Sequence, residues 1–340
     1  MAGLLRKLAI SLAGLALSTG LALAQSKITI AVGGSACLCY LPTILAERLG
    51  EYEKAGVKVE LVDFKGGSQS LTAVLGGSAD VVSGYFDHTV NLAAKNQLMQ
   101  AFVVYDRYPG FSLVVGPKNT DTIKSVKDLA NKRIGVSAPG SSTHMVVSHL
   151  LSKVGLTSND VSIIGVGTSA AAVAAVQTGE IDAIINSDPV MTKLETTDSV
   201  NVIAETRTRK GTEGLFGGPY PEAGLYATAE FIAKNPNTIQ ALTNAIVRAE
   251  LWMQKASVDD IAANVPEDHM LGDKALYLAS YQKMREAHAP DGLITKEGAQ
   301  IVLNVLAAFL PEVKATNIKV EDTYDNRFVE AALVKFQGKM

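Results

Sequence analysis

Residues 134–147 read IGVSAPGSSTHMVV. Ile134-Gly135-Val136 forms a short apolar strand, Ser137-Ala138-Pro139-Gly140 a tight turn, and Ser141-Ser142-Thr143 opens a helix that Gly155 stops. A strand, a Gly/Ser turn and a helix N-terminus aim backbone N–H groups at an anion. Phosphate loops and ligand receptors both use this unit, so the rest of the chain must decide between them. A P-loop requires Gly-x-x-x-x-Gly-Lys-Ser/Thr. Gly135 and Gly140 echo that spacing, but no Lys stands beside Ser142 or Thr143. A dinucleotide fold asks for G-x-G-x-x-G after its first strand, and Gly33-Gly34-Ser35 does not supply it.

Working outward, strand patterns at 27–32, 57–64, 81–83, 101–105 and 111–115 alternate with helical segments at 41–52, 68–75 and 87–95. The pattern then restarts. A short helix at 126–130 and a strand at 132–136 lead into the quoted helix. A strand at 161–165, an Ala-rich helix at 168–178 and strands at 181–185 and 200–204 follow. Such β-α-β alternation implies mostly parallel sheets covered by helices. One internal echo supports two lobes of like architecture: Ala73-Val74-Leu75-Gly76-Gly77-Ser78-Ala79-Asp80 can be laid on Ala175-Val176-Gln177-Thr178-Gly179-Glu180-Ile181-Asp182. From Pro221 the text turns helical, at 231–255, 257–265, 274–288 and 295–310. Too few strands remain there for a third sheet, so these helices should cover a lobe already built.

The amino-terminal 24 residues have the form of a secretory signal peptide. Arg6 and Lys7 precede an apolar Ala/Leu run, and Ala22-Leu23-Ala24 is an A-x-A cleavage site, so the mature chain should start at Gln25. No Cys follows that site, which argues against a lipid anchor, and no later segment has the roughly 18 unbroken apolar residues of a membrane span. The expected location is the periplasm. Loss of Arg6 and Lys7 moves the formal net charge from −3 to −5, and no basic block marks a nucleic-acid partner.

Enzyme signatures are sparse. There is no G-x-S-x-G elbow and no H-E-x-x-H, and the histidines at 88, 144, 149, 269 and 288 are scattered. His144 and His149 miss the i, i+4 spacing of two ligands on one helix face. Cys37 and Cys39 are the only cysteines. A bridge across one intervening residue is geometrically awkward, so they read as two partly buried thiols or as pocket lining. Two thiolates alone make a poor metal site. No cofactor and no metal are expected.

Taken in order, several stretches are similar to the periplasmic substrate-binding proteins of ABC importers, in the nitrate/sulfonate/taurine and thiamine-precursor branch. They are Leu41-Pro42-Thr43-Ile44-Leu45-Ala46-Glu47, Gly76-Gly77-Ser78-Ala79-Asp80-Val81, the run from Val126 to Val136, Val176-Gln177-Thr178-Gly179-Glu180-Ile181-Asp182-Ala183, Phe231 to Pro236, Asp291 to Thr295, and Tyr324-Asp325-Asn326. Each is weak alone. Their order over about 300 residues is specific.

The resemblance implies an α/β, two-lobe periplasmic-binding-protein-like type II fold with two crossovers. Its mainly parallel sheets would carry flanking helices. Lobe 1 would comprise 27–107 and 222–340 and lobe 2 residues 112–218, with hinges near 108–111 and 217–222. Ligands in such folds sit in the cleft, at the carboxyl ends of strands. From lobe 1 that rule points to Ser35, Cys39, Tyr40, Ser68, Gln69, Phe86, Asp87 and His88, with Tyr105 at the hinge. From lobe 2 it points to Ser137, Gly140, Ser141, Ser142, Thr143 and Asp188, with Phe216 and Tyr220 near the return crossing. In the resembling family the helix start at Ser141–Thr143 receives the ligand's anionic group, and Tyr40, Phe86 and Tyr105 could pack its organic part. Arg107, at the hinge, is the nearest cation to this lining.

The function implied is an extracytoplasmic solute-binding protein of an ABC importer. It would act as a monomer, catch a small organic anion such as a sulfonate or carboxylate between its lobes, and dock on an inner-membrane permease. Two alternatives share the fold: a pyrimidine-precursor-type enzyme, and a ligand-sensing partner of a membrane sensor kinase. The enzymes among these relatives carry a cysteine cluster that Cys37-Leu38-Cys39 does not match.

Overall fold

The computed structural model describes residues 27–289 and 291–336, so the leader read at 1–24 and the start at Gln25 lie outside the described residues. Ten strands build two sheets: β1 (Ile28–Val32), β2 (Val59–Asp63), β3 (Val81–Tyr85), β4 (Met99–Val104), β5 (Phe111–Val115), β6 (Arg133–Val136), β7 (Ser162–Gly165), β8 (Ala183–Ser187), β9 (Asn201–Glu205) and β10 (Ala223–Thr228). One sheet has the order β2-β1-β3-β10-β4 and the other β7-β6-β8-β5-β9.

The chain crosses between sheets twice, after β4 and after β9, and the first strand laid down after each crossing is the antiparallel one. β5 runs antiparallel to β8 and β9, and β10 antiparallel to β3 and β4. The remaining pairs, β1 with β2 and β3 and β6 with β7 and β8, are parallel. The result is the two-lobe, two-crossover α/β fold.

The echo between residues 73–80 and 175–182 marks equivalent joints. Helices Gly67–Leu75 and Ala170–Thr178 are each followed by a left-handed glycine, Gly77 at φ 76° and Gly179 at φ 78°. A conformation of that kind costs a glycine little. The chain then reaches an Asp that grips the first parallel strand of its own lobe. Thr29 N–H donates to Asp80 Oδ2 at 2.8 Å while Asp80 N–H donates to the Thr29 carbonyl at 2.9 Å. In the other lobe Arg133 N–H donates to Asp182 Oδ2 at 2.8 Å, and Asp182 N–H returns to the Arg133 carbonyl at 2.8 Å. The same reciprocal clamp therefore pins the first parallel strand of each sheet, β1 and β6.

Helices Val190–Thr197, Arg209–Phe216 and Arg327–Phe336 lie where the sequence reading placed none, and three further elements differ from it. The helix expected over 41–52 is two, Leu41–Arg48 and Glu51–Lys54, because Gly50 at φ 68° breaks it. The segment expected over 231–255 divides into Ala229–Lys234 and Pro236–Lys255. Pro236 has no N–H for the helix before it and suits the first turn of the next. Strand β10 lies where only helices were expected. It reads AGLYAT and is buried at every residue but the last, so it lacks the alternation that reveals a half-buried strand.

The lobe-1 core is built from Ile30, Phe102, Val103 and Leu225 of the sheet against Leu242 and Ile246 of helix Pro236–Lys255, all fully buried. Ile134 and Val136 pack under Leu151 of helix Ser142–Lys153 in lobe 2. Each such side chain contributes about 1.5–3 kcal/mol by leaving water. That rigidity holds the strand ends facing one another.

Candidate functional site

The carboxyl ends of β1, β3, β6 and β8 converge on the junction between the lobes. A cavity there is lined by Gly33, Cys37, Cys39, Tyr40, Gly67 and Tyr85 from the first lobe. Phe111, Ser137, Ser141, Ser142, Thr143, Thr168, Asn186 and Ser187 line it from the second. Its volume is about 20 Å³, room for one water-sized body. A larger ligand therefore requires the lobes to part.

Direct bonds hold the lobes together at this point. Ser142 Oγ donates to Asp87 Oδ1 at 2.6 Å. Ser68 N–H donates to Ser141 Oγ at 3.0 Å, and Ser68 Oγ donates to the Pro139 carbonyl at 2.9 Å. Leu38 N–H donates to the Asp188 carbonyl at 3.0 Å, and Cys37 Sγ lies 2.9 Å from Ser187 Oγ. The backbones also approach closely: a Cβ on Gly66 would stand 2.9 Å from the Ala138 Cβ.

The lobe-2 wall follows from its local sequence. Ser141, at φ −77° and ψ 166°, caps helix Ser142–Lys153. Thr143 Oγ1 accepts the Ser137 N–H at 3.0 Å and lies 2.9 Å from Ser137 Oγ, which folds the turn back on the helix start. Hydroxyls and free N–H groups are thus gathered at the positive end of a twelve-residue helix.

The lobe-1 wall is aromatic. Tyr85 stacks on Phe111 across the junction, with ring centroids 5.0 Å apart, and Tyr40 meets Tyr85 edge-on at 5.9 Å. Cys37 and Cys39 are bridged by a disulfide, with Cα atoms 5.2 Å apart. This corrects the expectation of two thiols. Cys37 stands in extended backbone before the turn Leu38–Tyr40, and this conformation lets the two side chains meet. The bridge forms part of the wall.

Behind these walls lies a buried polar layer. Burial pushes the Asp87 carboxyl above the usual range, with neighbouring His88 and the Ser142 bond pulling the other way. His88 is driven down by burial, and its Nδ1 lies 2.8 Å from the Tyr226 hydroxyl. Glu222, where the chain returns to lobe 1, is held well above the ordinary carboxylate range by burial and by the nearby carboxyls of Asp87 and Asp106. Its two oxygens have no hydrogen-bond partner among the described residues. Tyr40 is likewise raised by burial and then by Glu222 and Asp87. Burial favours the neutral acid throughout this layer. The main field in the cavity is therefore that of the helix N-terminus and its hydroxyls.

Of the residues singled out from sequence, Cys39, Tyr40, Ser137, Ser141, Ser142 and Thr143 share the cavity wall. Asp87 stands behind Ser142, and His88 behind Gly67, where an added Cβ would meet its ring at 3.0 Å. Ser68 and Gly140 lie at the rim, Ser68 bonding across the lobes and Gly140 exposed at φ 83°.

The others are placed elsewhere. Ser35 binds Asp63 through its N–H at 2.6 Å and His269 through its hydroxyl at 3.2 Å. Gln69 is exposed and turns back to the Lys65 N–H. Tyr105 is fully buried and hydrogen-bonded to Thr43 at 2.7 Å within lobe 1. Phe86 packs on Tyr324, and Tyr220 stacks on Phe216 at 4.4 Å. The Asp188 carboxyl is taken by the Thr192 N–H at 2.8 Å and by Arg207 at 3.4 Å. Arg107 points to Asp291 on the exterior. Tyr85, Phe111, Thr168, Asn186 and Ser187 line the cavity without having been singled out. The strand-end rule, applied at the ends of β3, β7 and β8 and the start of β5, finds them.

Residues 40–256 match the family model described as NMT1/THI5 like. A 4-amino-5-hydroxymethyl-2-methylpyrimidine phosphate synthase of Schizosaccharomyces pombe is 30% identical over 249 residues, 69% of this chain and 68% of that one. A solved structure from Bordetella bronchiseptica is 48% identical with a TM-score of 0.89, covering 91% of this chain and 98% of that chain. The alkanesulfonate-binding protein of Xanthomonas axonopodis pv. citri, solved with MOPS, shares the fold at 18% identity and a TM-score of 0.67 over 88% of this chain and 98% of that one. Family model, identity and topology agree: the chain belongs to the NMT1/THI5-like family and has the two-lobe fold of the periplasmic binding proteins.

Proposed function

We propose that this chain is the exported solute-binding protein of an ABC importer. It captures a small organic anion between its lobes and presents the closed complex to a membrane permease. One observation carries the reading: a hydroxyl-rich helix start, Ser141–Thr143, faces an aromatic wall across a junction bridged by side-chain and backbone hydrogen bonds. The ligand's charged end replaces Asp87 and Ser68 as partner of those hydroxyls. Each charge-assisted bond is worth about 1.5–3 kcal/mol, more than the roughly 0.3–2 kcal/mol of the helix dipole alone. Its body rests on Tyr40, Tyr85 and Phe111. Ligand contacts to both lobes are available only when they close, and that difference drives closure. The alkanesulfonate-binding neighbour makes sulfonates the first class to try.

A thermal-shift screen of the mature chain over small sulfonates, aromatic carboxylates and pyrimidines tests the proposal, because a ligand of the native state raises the melting temperature. The kinship with a pyrimidine phosphate synthase supports a second reading, an enzyme on the same scaffold. Mass analysis of the bound compound after denaturation separates the two. A receptor returns it unchanged, and an enzyme returns a product.

A further inference from the structure

A segment of lobe 1 leaves its own lobe and grips the other. It comprises the turn at 266–273 and helix Lys274–Met284. Its far end is fixed to lobe 1. Tyr277 and Tyr281 are buried, and Arg285, just past the helix, donates to the Gln254 carbonyl of helix Pro236–Lys255 at 3.2 Å. Its near end rests on the rim of the cleft, where His269 Nε2 lies 3.2 Å from Ser35 Oγ. Ser35 stands two residues before Cys37 of the cavity wall.

Just beyond His269 the chain reaches across to lobe 2. Leu271 packs against the apolar cluster of that lobe, which holds Val190, Met191 and Leu194 of helix Val190–Thr197. It does so with left-handed backbone, at φ 51°, and Gly272 follows at φ 70°. A Cβ disfavours this conformation, which Gly adopts freely and Asn more readily than Leu. The apolar seat on lobe 2 accounts for a leucine at that position. Charge contacts flank the seat. Lys193 Nζ lies 3.7 Å from Asp273 Oδ2, and Lys283 Nζ donates to Glu195 Oε2 at 3.2 Å and to Thr192 Oγ1 at 3.3 Å. Thr192, Lys193 and Glu195 all belong to helix Val190–Thr197. That helix begins just after Asp188, whose carbonyl takes the Leu38 N–H across the junction, and Arg207 pairs with both Glu195 and the Asp188 carboxyl. The seat of the segment is thus tied to the wall of the cleft.

We propose that residues 266–284 are a clasp, which holds the lobes together from the flank and must let go of helix Val190–Thr197 before the cleft opens. Partly exposed ion pairs contribute little and are screened by salt, so Leu271 carries most of the hold. The clasp requires only that the lobes part. It depends neither on the ligand nor on the importer, and its test uses neither.

The Cys37–Cys39 bridge reports the parting of the lobes, because both cysteines are buried in the wall of a cavity of about 20 Å³, too small for dithiothreitol. The experiment follows reduction of the bridge by dithiothreitol in the mature chain, with iodoacetamide trapping and mass analysis. Leu271→Asn suits the left-handed backbone and removes the apolar contact. The expected result is reduction about fivefold faster, or more, in Leu271→Asn at an unchanged urea midpoint. Val334→Asn, at a position 70% exposed on helix Arg327–Phe336, should match the unaltered chain. If Leu271→Asn does not fold, Leu271→Ala replaces it with the same expectation. The clasp is overturned if the folded Leu271 variant is reduced at the unaltered rate. It is equally overturned if Val334→Asn speeds reduction as much, or if the faster reduction comes with a lowered urea midpoint.

Discussion

Ser142 of one lobe donates its hydroxyl proton to Asp87 of the other at 2.6 Å, and both side chains are buried. The residue that opens the lobe-2 helix is therefore also a latch between the lobes. Losing the hydroxyl leaves a buried acid oxygen without its partner, which costs about 1–3 kcal/mol, so Ser142→Ala should weaken closure by a factor of about five or more. Small-angle X-ray scattering is expected to show a larger radius of gyration for the variant without ligand. An unchanged radius would mean that Ser68, Leu38 and their partners hold the lobes without the latch.

Closure can also be blocked by bulk. Gly66 has extended backbone, at φ −174°, which any residue adopts, but a Cβ there would lie 2.9 Å from the Ala138 Cβ across the junction. Gly66→Val should leave each lobe folded and wedge them apart. Circular dichroism should match that of the unaltered chain while ligand affinity drops at least tenfold. Retained affinity would show that the lobes close by another path.

Glu222 makes stability depend on pH. Its folded-state pKa lies well above the ordinary value, so the native protein binds a proton that the unfolded chain releases near pH 4.5. Its contribution is fully present below that pH and is lost as pH rises toward the folded-state value. Glu222→Gln should therefore be more stable than the unaltered chain at pH 8, by on the order of 1–3 kcal/mol. The difference should shrink toward pH 4. Urea unfolding at the two pH values measures it, and a difference that grows on acidification would contradict the sign.

The Cys37–Cys39 bridge closes a very short loop, so chain entropy gives it little leverage, about 1.5 kcal/mol. Its place in the cavity wall gives it more influence on binding. Replacing both cysteines with serine should lower the melting temperature by only a few degrees and weaken ligand binding more clearly. Loss of folding would show instead that the bridge supports the lobe.

The lobe-2 wall is readable from sequence because it is local. Ser137 and Ser141–Thr143 sit in one strand-turn-helix unit whose turn chemistry and helix start lie side by side in the chain. The lobe-1 wall depends on what the folded chain brings together. Tyr85 stacks on Phe111 from a different lobe, and nothing in either sequence neighbourhood announces the pair. Tyr105 and Tyr40 look alike as strand-end tyrosines. The Thr43 hydroxyl, placed by helix Leu41–Arg48, and the Ser83 hydroxyl of β3 hold Tyr105 in the core. Asp188 is similar, since its carboxyl is claimed by Arg207, nineteen residues on. Strand β10 escaped because burial on both faces removes the period-two signal. The echo at Asp80 and Asp182, by contrast, carried real information: each Asp clamps the first parallel strand of its lobe.

The most direct test of the central claim is calorimetric titration of the unaltered chain and Ser142→Trp with the compound that raises the melting temperature most in the sulfonate, carboxylate and pyrimidine screen. The account predicts one site per chain and at least a hundredfold loss of affinity in a folded Ser142→Trp. Equal affinity in the two proteins would place the ligand elsewhere and contradict the assignment of the cleft.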